Sequence, residues 1–377
     1  PGDIIQRGIN KFGKVCNNKR DPRIREAVIA HVVRKYEKLT REYTGPLRTL
    51  TVSEAINGIP GRKYIPPLRM DTSPGFPYVK LRPSGQSGRR FLFNEIGVSP
   101  AGAPLYEPGP LLQRELDDIW DGLKNGKVLK NFFTDCLKDE RRTHARLYKT
   151  RFFNIHNVAW LITLKRLYGC AAAFQLEMGH KVNSGLGMDM HGPDVGKYIQ
   201  WMREIDPNFT MIDVAEWDGN LPSEVYADSV RTDNKFMAFH DDDADNAKRR
   251  LTLELSPMSH RIHVIGNVIY ITFQGIASGE FGTAKHNTQG HNEMDYCNWI
   301  ELFEVADMPE MATCEQKDVH TRECTVGDDG AGSVSNQARD VYNDVTRESV
   351  FKFYGIEAQA PSKKAGEKPK PYVPIEE

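Results

Sequence analysis

The segment Phe209-Thr210-Met211-Ile212-Asp213-Val214-Ala215 decides the fold when it is read with Val326-Gly327-Asp328-Asp329-Gly330, far downstream. The first is an apolar run of strand length that enters an acidic turn. The second is a turn sequence, since Asp and Gly tolerate the tight backbone of a hairpin tip. The order of elements around them is informative. Helices are predicted over 222–239 and 285–303. Strands over 319–326 and 331–334 flank the Gly327-Asp328-Asp329-Gly330 turn. A helix over 335–353 and a strand over 355–359 follow. Strand, helix, two strands, helix, strand is the split β-α-β-β-α-β pattern, a small antiparallel sheet backed by helices. The expected fold class is α+β.

If the two quoted strands are neighbours, Asp213 and Asp328 meet at one edge. Two carboxylates cannot both stay charged there without a cation. Mg2+ suits such a pair, because it is held by one or two carboxylates together with substrate phosphates. Two ions about 3.5–4 Å apart would clamp an in-line phosphoryl displacement.

Upstream, Asp21 and Pro22 open a helix that carries Ile24, Val28, Val32, Tyr36 and Leu39 at helical spacing. Residues 43–110 are rich in Gly and Pro and read as loops with short strands. A helix follows from about Pro110 to Lys124, with Gly126 as its stop. Extended segments Phe132–Lys138 and Arg151–His156 flank a basic turn, and more helix runs to about residue 204. By composition, the last stretch, PSKKAGEKPKPYVPIEE, reads as a solvated tail.

Composition bounds the classes. The 377 residues carry 50 Lys and Arg against 51 Asp and Glu, a net charge of −1. A uniformly basic nucleic-acid coat is excluded; a locally basic groove is not. At 39% hydrophobic and 27% charged, the chain can bury a core and is not disordered. Its length suggests two or three domains, or one large fold with subdomains. No apolar run reaches the ~18 residues that span a bilayer, and no secretory signal pattern opens the chain. A start at Pro1 rather than Met reads as a cleaved product or trimmed fragment. Cysteines at 16, 136, 170, 297, 314 and 324 form no Cys-x-x-Cys, so they read as buried free thiols.

Three further constellations carry chemistry. Ser278-Gly279-Glu280-Phe281-Gly282-Thr283-Ala284-Lys285-His286-Asn287 is a glycine-hinged loop that opens a helix. Thr283 and Asn287 share a helix face, where hydroxyl and amide can read ribose hydroxyls; a plain helix cap is the alternative. Between Lys138 and Arg151 six basic residues stand against two acidic ones. The flanking strands hold this run as a hairpin rather than a tail, and it would attract phosphates. Asp71-Thr72-Ser73-Pro74-Gly75-Phe76-Pro77-Tyr78 reads alone as a turn. Weaker signals fall away. The run 240–245 lacks the Gly and Glu of a calcium loop, with Asn246 and Thr252 in their places, and reads as solvated. His286, His291 and Cys297 have no zinc spacing and read as helix packing, and Trp217 reads as core.

In this order the segments resemble the RNA-dependent RNA polymerases of picornavirus-like positive-strand RNA viruses, from Thr72 to about Lys364. SGEFGTAKHNT resembles motif B, DVAEWDG motif A, VGDD motif C, KDERRTHARLYKTR motif F and TSPGFPY motif G of that family. The resemblance implies a right-hand polymerase with fingers over 1–208 and a ferredoxin-like palm over 209–284, interrupted by a fingers insertion, and 285–377. It implies template-directed RNA synthesis with two Mg2+ ions, Mn2+ being an alternative. Asp213 and Asp328 match the metal-binding aspartates, with Asp329 beside them. Asp218 and Asn287 match the pair that senses the ribose 2′-hydroxyl, supported by Ser278 and Thr283. Arg151 matches the basic residue over the triphosphate; Lys138, Arg146 and Lys149 line the entry channel. Thr72, Ser73, Gly75 and Pro77 fall on the template path. Lys364, or Lys363 one register away, matches the lysine that protonates pyrophosphate, which replaces the tail reading over 361–364. Implied partners are RNA template, primer and product, ribonucleoside triphosphates, a protein primer and other viral replication proteins. The implied setting is the host cytoplasm, at membrane-associated replication complexes.

The sequence departs from the family pattern in three places. Val326 stands where Tyr usually precedes Gly-Asp-Asp. The hairpin is polar or small, with His320, Arg322 and Glu323 before it and Gly330-Ala331-Gly332 after it. No counterpart of the thumb helices follows motif D, so a fingers-and-palm fragment that holds product duplex poorly is expected. Two rival readings remain. A reverse transcriptase shares the acidic turns, but the Asn287 and Asp218 pair argues for binding the 2′-hydroxyl rather than excluding it. A non-catalytic RNA-binding fragment is the other.

Overall fold

The structure is a computed structural model that describes residues 2–13, 20–139, 141, 151–215, 217–255, 261–359 and 370–374. In chain order its helices are α1 (Gly2–Asn10), α2 (Pro22–Leu39), α3 (Val52–Asn57), α4 (Pro110–Lys124), α5 (Val158–Met178), α6 (Asp194–Arg203), α7 (Trp217–Asn220), α8 (Ser223–Met237), α9 (Ala244–Leu255), α10 (Thr283–Val305), α11 (Cys314–His320) and α12 (Asp344–Phe353). Its strands are β1 (Phe93–Val98), β2 (Pro104–Pro108), β3 (Asn131–Leu137), β4 (Phe152–His156), β5 (Asn208–Val214), β6 (Arg261–Ile265), β7 (Val268–Ile271), β8 (Thr321–Val326), β9 (Asp329–Val334), β10 (Ala358–Gln359) and β11 (Val373–Pro374). None of the described helices is long and apolar enough to cross a membrane.

The chain forms two compact units, each made of three separate segments of the sequence. One comprises Pro1–Lys14, Gly45–Phe174 and Asp233–Thr283; the other Val15–Thr44, Gln175–Thr232 and Ala284–Glu377. The second holds the predicted sheet. Its strand order is β10-β5-β9-β8, every pair antiparallel. The split pattern therefore closes as expected, with first and third strands adjacent at the centre. Small residues on β9 are required by its neighbours. A Cβ on Gly332 would lie 2.7 Å from Glu323 Cγ. Glu323 is buried, accepts a bond from the Tyr342 hydroxyl at 3.0 Å and pairs with buried Lys317. The buried acid of the polar hairpin is thus fully partnered.

α10 is the spine of this unit, buried without a break from Lys285 to Ile300 although much of it is polar. Several of its polar side chains are paired in compensation. Ser229 Oγ lies 3.0 Å from His286 Nδ1, and Asn292 donates to the carbonyls of Val182 and Asn183. Arg347 of α12 donates to Asp295 at 2.7 Å.

Three predicted elements are corrected. Residues 314–320 form α11, because Thr313 accepts the Gln316 N–H at 3.2 Å and caps a helix there; the strand starts only at Thr321. The helix predicted from 335 starts at Asp344. The Asn343 side chain accepts the N–H groups of Val345 and Thr346, and Thr346 reciprocates, which is a capping box. The tail is not wholly solvated: β11 pairs with the start of β5, Val373 opposite Phe209.

The first unit is built on a sheet of order β4-β3-β6-β7 and a separate β1-β2 ribbon. β3 and β4 are the predicted hairpin around the basic turn, closed at its base by Lys138 N–H donating to Arg151 C=O at 2.9 Å. On one face Phe133 is stacked between His156 (4.5 Å) and His263 (4.9 Å). α4 has the predicted bounds and buries Leu112, Leu116, Ile119 and Leu123. The run 240–245 is only partly solvated. Asp241 is buried and accepts bonds from Thr49 and Arg250, so its acidity serves an internal ion pair. Five cysteines are free: Cys170, Cys297 and Cys314 are buried and Cys136 and Cys324 half-buried, while Cys16 lies outside the described residues.

One buried carboxyl makes stability depend on pH. Glu293 of α10 accepts bonds from Thr232 at 2.7 Å and Gln289 at 3.0 Å. Burial, with Asp228 nearby, pushes its pKa up to about 7 from 4.5. Between those values the folded chain holds a proton that the unfolded chain has released, so stability falls as pH rises through that window. Glu293→Gln is expected to flatten this dependence and to stabilise the protein at pH 8 by up to about 3 kcal/mol. Urea denaturation at pH 5 and pH 8 measures it; parallel pH profiles for the two proteins would refute it.

Candidate active site

The acidic edge lies wholly within the second unit. Val326 pairs with Asp329, so β8 and β9 are joined by the two-residue loop Gly327-Asp328. Gly327 takes φ +68°, a left-handed conformation that such tight hairpin loops demand and that glycine adopts without strain. The turn is therefore shorter than predicted: Asp328 is its tip and Asp329 the first residue of β9. Across the sheet, Asp213 near the end of β5 is registered opposite Asp329. Directly opposed residues in an antiparallel pair have Cβ atoms about 4.5–5.5 Å apart. Two acidic segments remote in the chain thus meet at one sheet edge. Asp213 is only 3% exposed, Asp328 is half-buried and Asp329 is exposed. Val326 is 39% exposed, its side chain close to Gly185.

Asn287 sits one turn into α10, buried. Its Oδ1 is shielded from solvent and, among the described residues, accepts no hydrogen bond. A buried acceptor without a donor is unfavourable by about 1–3 kcal/mol, and a ligand hydroxyl would relieve it. The backbone of Asp218 lies in α7, and Trp217 beside it is core, as expected. The Asp218 side chain, Arg146, Lys149 and Lys364 fall outside the described residues.

In the first unit the glycine loop is seated on strands rather than hanging free. Asn154 of β4 and Ser278 bond reciprocally: Asn154 N–H donates to Ser278 Oγ at 2.9 Å, and Ser278 N–H donates to Asn154 Oδ1 at 3.0 Å. The Asn154 amide in turn donates to Asp135 at 2.5 Å. From β6, buried Arg261 pairs with Glu280 at 2.7 Å and donates to the Gly275 carbonyl. The Thr283 hydroxyl reaches the carbonyls of Ala277 at 2.7 Å and Glu280 at 2.9 Å, so its proton caps the loop. A Cβ on Gly279 would stand 1.9 Å from the Asn154 carbonyl oxygen, so only glycine fits. Sequence reasoning missed Asn154, Arg261 and Glu280; only a buried ion pair reveals the last two.

The other predicted residues are also placed here. Lys138 and Arg151 are exposed at the base of the β3–β4 hairpin. The Thr72–Pro77 segment is a built loop, not an isolated turn. Arg89 donates to the Thr72 and Ser73 carbonyls at 3.2 and 2.8 Å, and burial lowers its pKa to about 10. Gly75, at φ +75°, leaves no room for a Cβ beside the His156 carbonyl, and Asn157 donates to the Phe76 carbonyl next to Pro77.

The donor set at the acidic edge fits a hard divalent cation: carboxylate oxygens from two neighbouring strands. Among the described residues no three His, Cys, Asp or Glu side chains form a preformed cage.

The second unit thus carries a split β-α-β-β-α-β sheet with acidic residues brought together where β5 meets the β8–β9 hairpin. The family model for viral RNA-dependent RNA polymerase matches residues 7–376, and the chain belongs to that family. It is similar to the genome polyprotein of Rice tungro spherical virus (strain Vt6), 27% identical over 99% of this chain and 11% of the polyprotein. It is also similar to that of Deformed wing virus, 24% identical over 95% of this chain and 12% of the polyprotein. The chain thus spans about a tenth of these curated relatives. The fold resembles the solved Sicinivirus 3Dpol RNA-dependent RNA polymerase, with a TM-score of 0.71, 21% identity, and coverage of 98% of this chain and 69% of that one. Viral polymerases of this family generally use divalent metal ions.

The loop seat makes a direct prediction. Gly279→Ala must displace the loop from β4, at about 1–3 kcal/mol of strain. Gly196→Ala in α6, where an added methyl meets nothing within 4 Å, should be neutral or stabilising by up to about 1 kcal/mol. Thermal denaturation of the two variants side by side tests the contrast, and equal melting temperatures would remove the case for the seat.

Proposed function

We propose that this chain carries the fingers and palm of an RNA-dependent RNA polymerase of a picorna-like positive-strand RNA virus, and that it joins ribonucleotides to a growing RNA strand on an RNA template. The pairing of Asp213 with Asp329, next to Asp328 at the hairpin tip, is the observation that carries this reading. Asp213 and Asp328 would hold two Mg2+ ions, or Mn2+, with Asp329 beside them. When bound, these ions activate the terminal 3′-hydroxyl and neutralise charge on the triphosphate. The protein's part is positioning and charge. Lys138, Arg146, Lys149 and Arg151 attract and orient the triphosphate, and Lys364 donates a proton to the leaving pyrophosphate. Asn287 offers its buried acceptor to the ribose 2′-hydroxyl, with Asp218. Ser278 and Thr283 act indirectly, by holding the loop that precedes Asn287. Thr72, Ser73, Gly75 and Pro77 guide the template. The unit that holds Asp213 and Asp328 is read as palm and the other as fingers, working at replication complexes in the host cytoplasm.

Asp213→Asn or Asp328→Asn in the mature polymerase should lower Mg2+-dependent nucleotide incorporation by about 10²–10³-fold or more. Wild-type activity in either variant would exclude the assignment. The orphan acceptor on Asn287 favours a ribonucleotide site over a reverse transcriptase. Asn287→Ala should therefore reduce the preference for ribo- over deoxyribonucleotides by about 10-fold, measured by competing incorporation of the two.

A further inference from the structure

The Gly327-Asp328 loop is gripped by two α10 residues that the reading above leaves unused. Thr288 Oγ1 accepts the Gly327 N–H at 2.8 Å. His291 Nδ1 lies 3.2 Å from the Gly327 carbonyl oxygen, so that nitrogen carries the proton and donates. One helix turn separates the two residues, so they present hydroxyl and ring side by side. Together they hold both peptide planes that flank the Gly327 α-carbon. The second of those planes leads directly into Asp328.

The grip is itself braced. His291 is fully buried, with its ring near Trp217 (5.8 Å between centroids) and Phe351 (6.1 Å). Its Nε2 makes no hydrogen bond among the described residues; Asp295, which Arg347 holds at 2.7 Å, stands 3.6 Å away. Space for the ring exists because residue 330 is glycine: a Cβ there would lie 3.2 Å from His291 Cε1. Thr288 is likewise buried, 2% exposed.

We propose that Thr288 and His291 are positioning residues for the acidic turn: they fix the Gly327 peptides and so aim the Asp328 carboxylate at the metal it binds. The inference rests on the assignment of Asp328 as a metal ligand. It explains why a glycine that could adopt many conformations holds one. It also gives His291 a task beyond helix packing.

Thr288→Val keeps shape and volume but removes the acceptor, whereas Thr288→Ser keeps the acceptor. A misplacement of about 1 Å can lower rate about 10²-fold. Thr288→Val should therefore reduce kcat by about 10–100-fold, with KM for ribonucleotide within about 2-fold of wild type. Mn2+ affinity of the nucleotide-free polymerase, read by electron paramagnetic resonance titration, should weaken by about 10-fold. Thr288→Ser should retain both. His291→Asn, which keeps a donor near the Nδ1 position, should likewise outperform His291→Leu in kcat and Mn2+ affinity at matched melting temperature. Equal behaviour of Thr288→Val and Thr288→Ser, or losses that follow melting temperature alone, would overturn the proposal. Asp328→Asn is the separating control. If it stays active, the metal assignment fails; if it is inactive while Thr288→Val matches wild type, only the positioning role fails.

Discussion

The antiparallel pairing of β5 with β9 is the interaction on which the rest depends. It is short, running from Phe209 opposite Ser333 to Asp213 opposite Asp329. A slip of one residue would turn every side chain of β5 to the other face and separate the acids. The pairing is defended on both sides. Thr210 and Ile212 are buried, and Met211 N–H donates to the Asp344 carboxylate at 2.6 Å, which ties β5 to the start of α12. Burial raises the Asp344 pKa to about 6, partly offset by Arg347, so that carboxylate is kept only because it is so well partnered. β5 also holds β10 and β11 along its other edge, at Val214 and Phe209.

The two units solve one problem in different ways: each must hold a glycine-containing turn in a single shape. In the sheet unit, side chains of α10 reach the turn. In the other, strand β4 supplies both a backbone and a side-chain partner to Ser278, while a buried Arg261–Glu280 pair clamps the far side. A buried ion pair is weak evidence of net stability, because desolvation offsets its attraction. Its geometric demand is strict, however, and removing one partner leaves a charge stranded. Both turns are therefore specified by polar groups whose value lies in direction.

Much of this was legible in the sequence because the signals were local. Pro110, the apolar spacing of Leu112, Leu116, Ile119 and Leu123, and the stop near Gly126 give α4 without tertiary help. The apolar run ending in Asp213, and the Gly-Asp-Asp turn, give the strands and their order. Misreadings arose where local pattern was ambiguous. Residues 335–343 have helical composition, but Asn343 offers its side chain to the following amides and restarts the helix there. Val319 and His320 suit a strand, yet Thr313 caps a helix that includes them. Asp241 looks solvated among its acidic neighbours because its partners, Thr49 and Arg250, are not its neighbours in sequence. The supports of the site were invisible for the same reason. Asn154, Arg261, Glu280 and His291 are ordinary polar residues until the fold brings a carbonyl, an amide or an opposite charge to each.

The interior of α10 has a consequence for how such a protein drifts under mutation. Aliphatic cores accept one methylene more or less at modest expense. Here a relay of hydrogen bonds runs from Gln175 through Gln289 to Glu293, which also accepts from Thr232. A change that removes the Gln289 side chain strands the Gln175 amide, so replacements of that kind are expected to be paired or compensated. On this ground the helix should change by coordinated steps rather than one residue at a time.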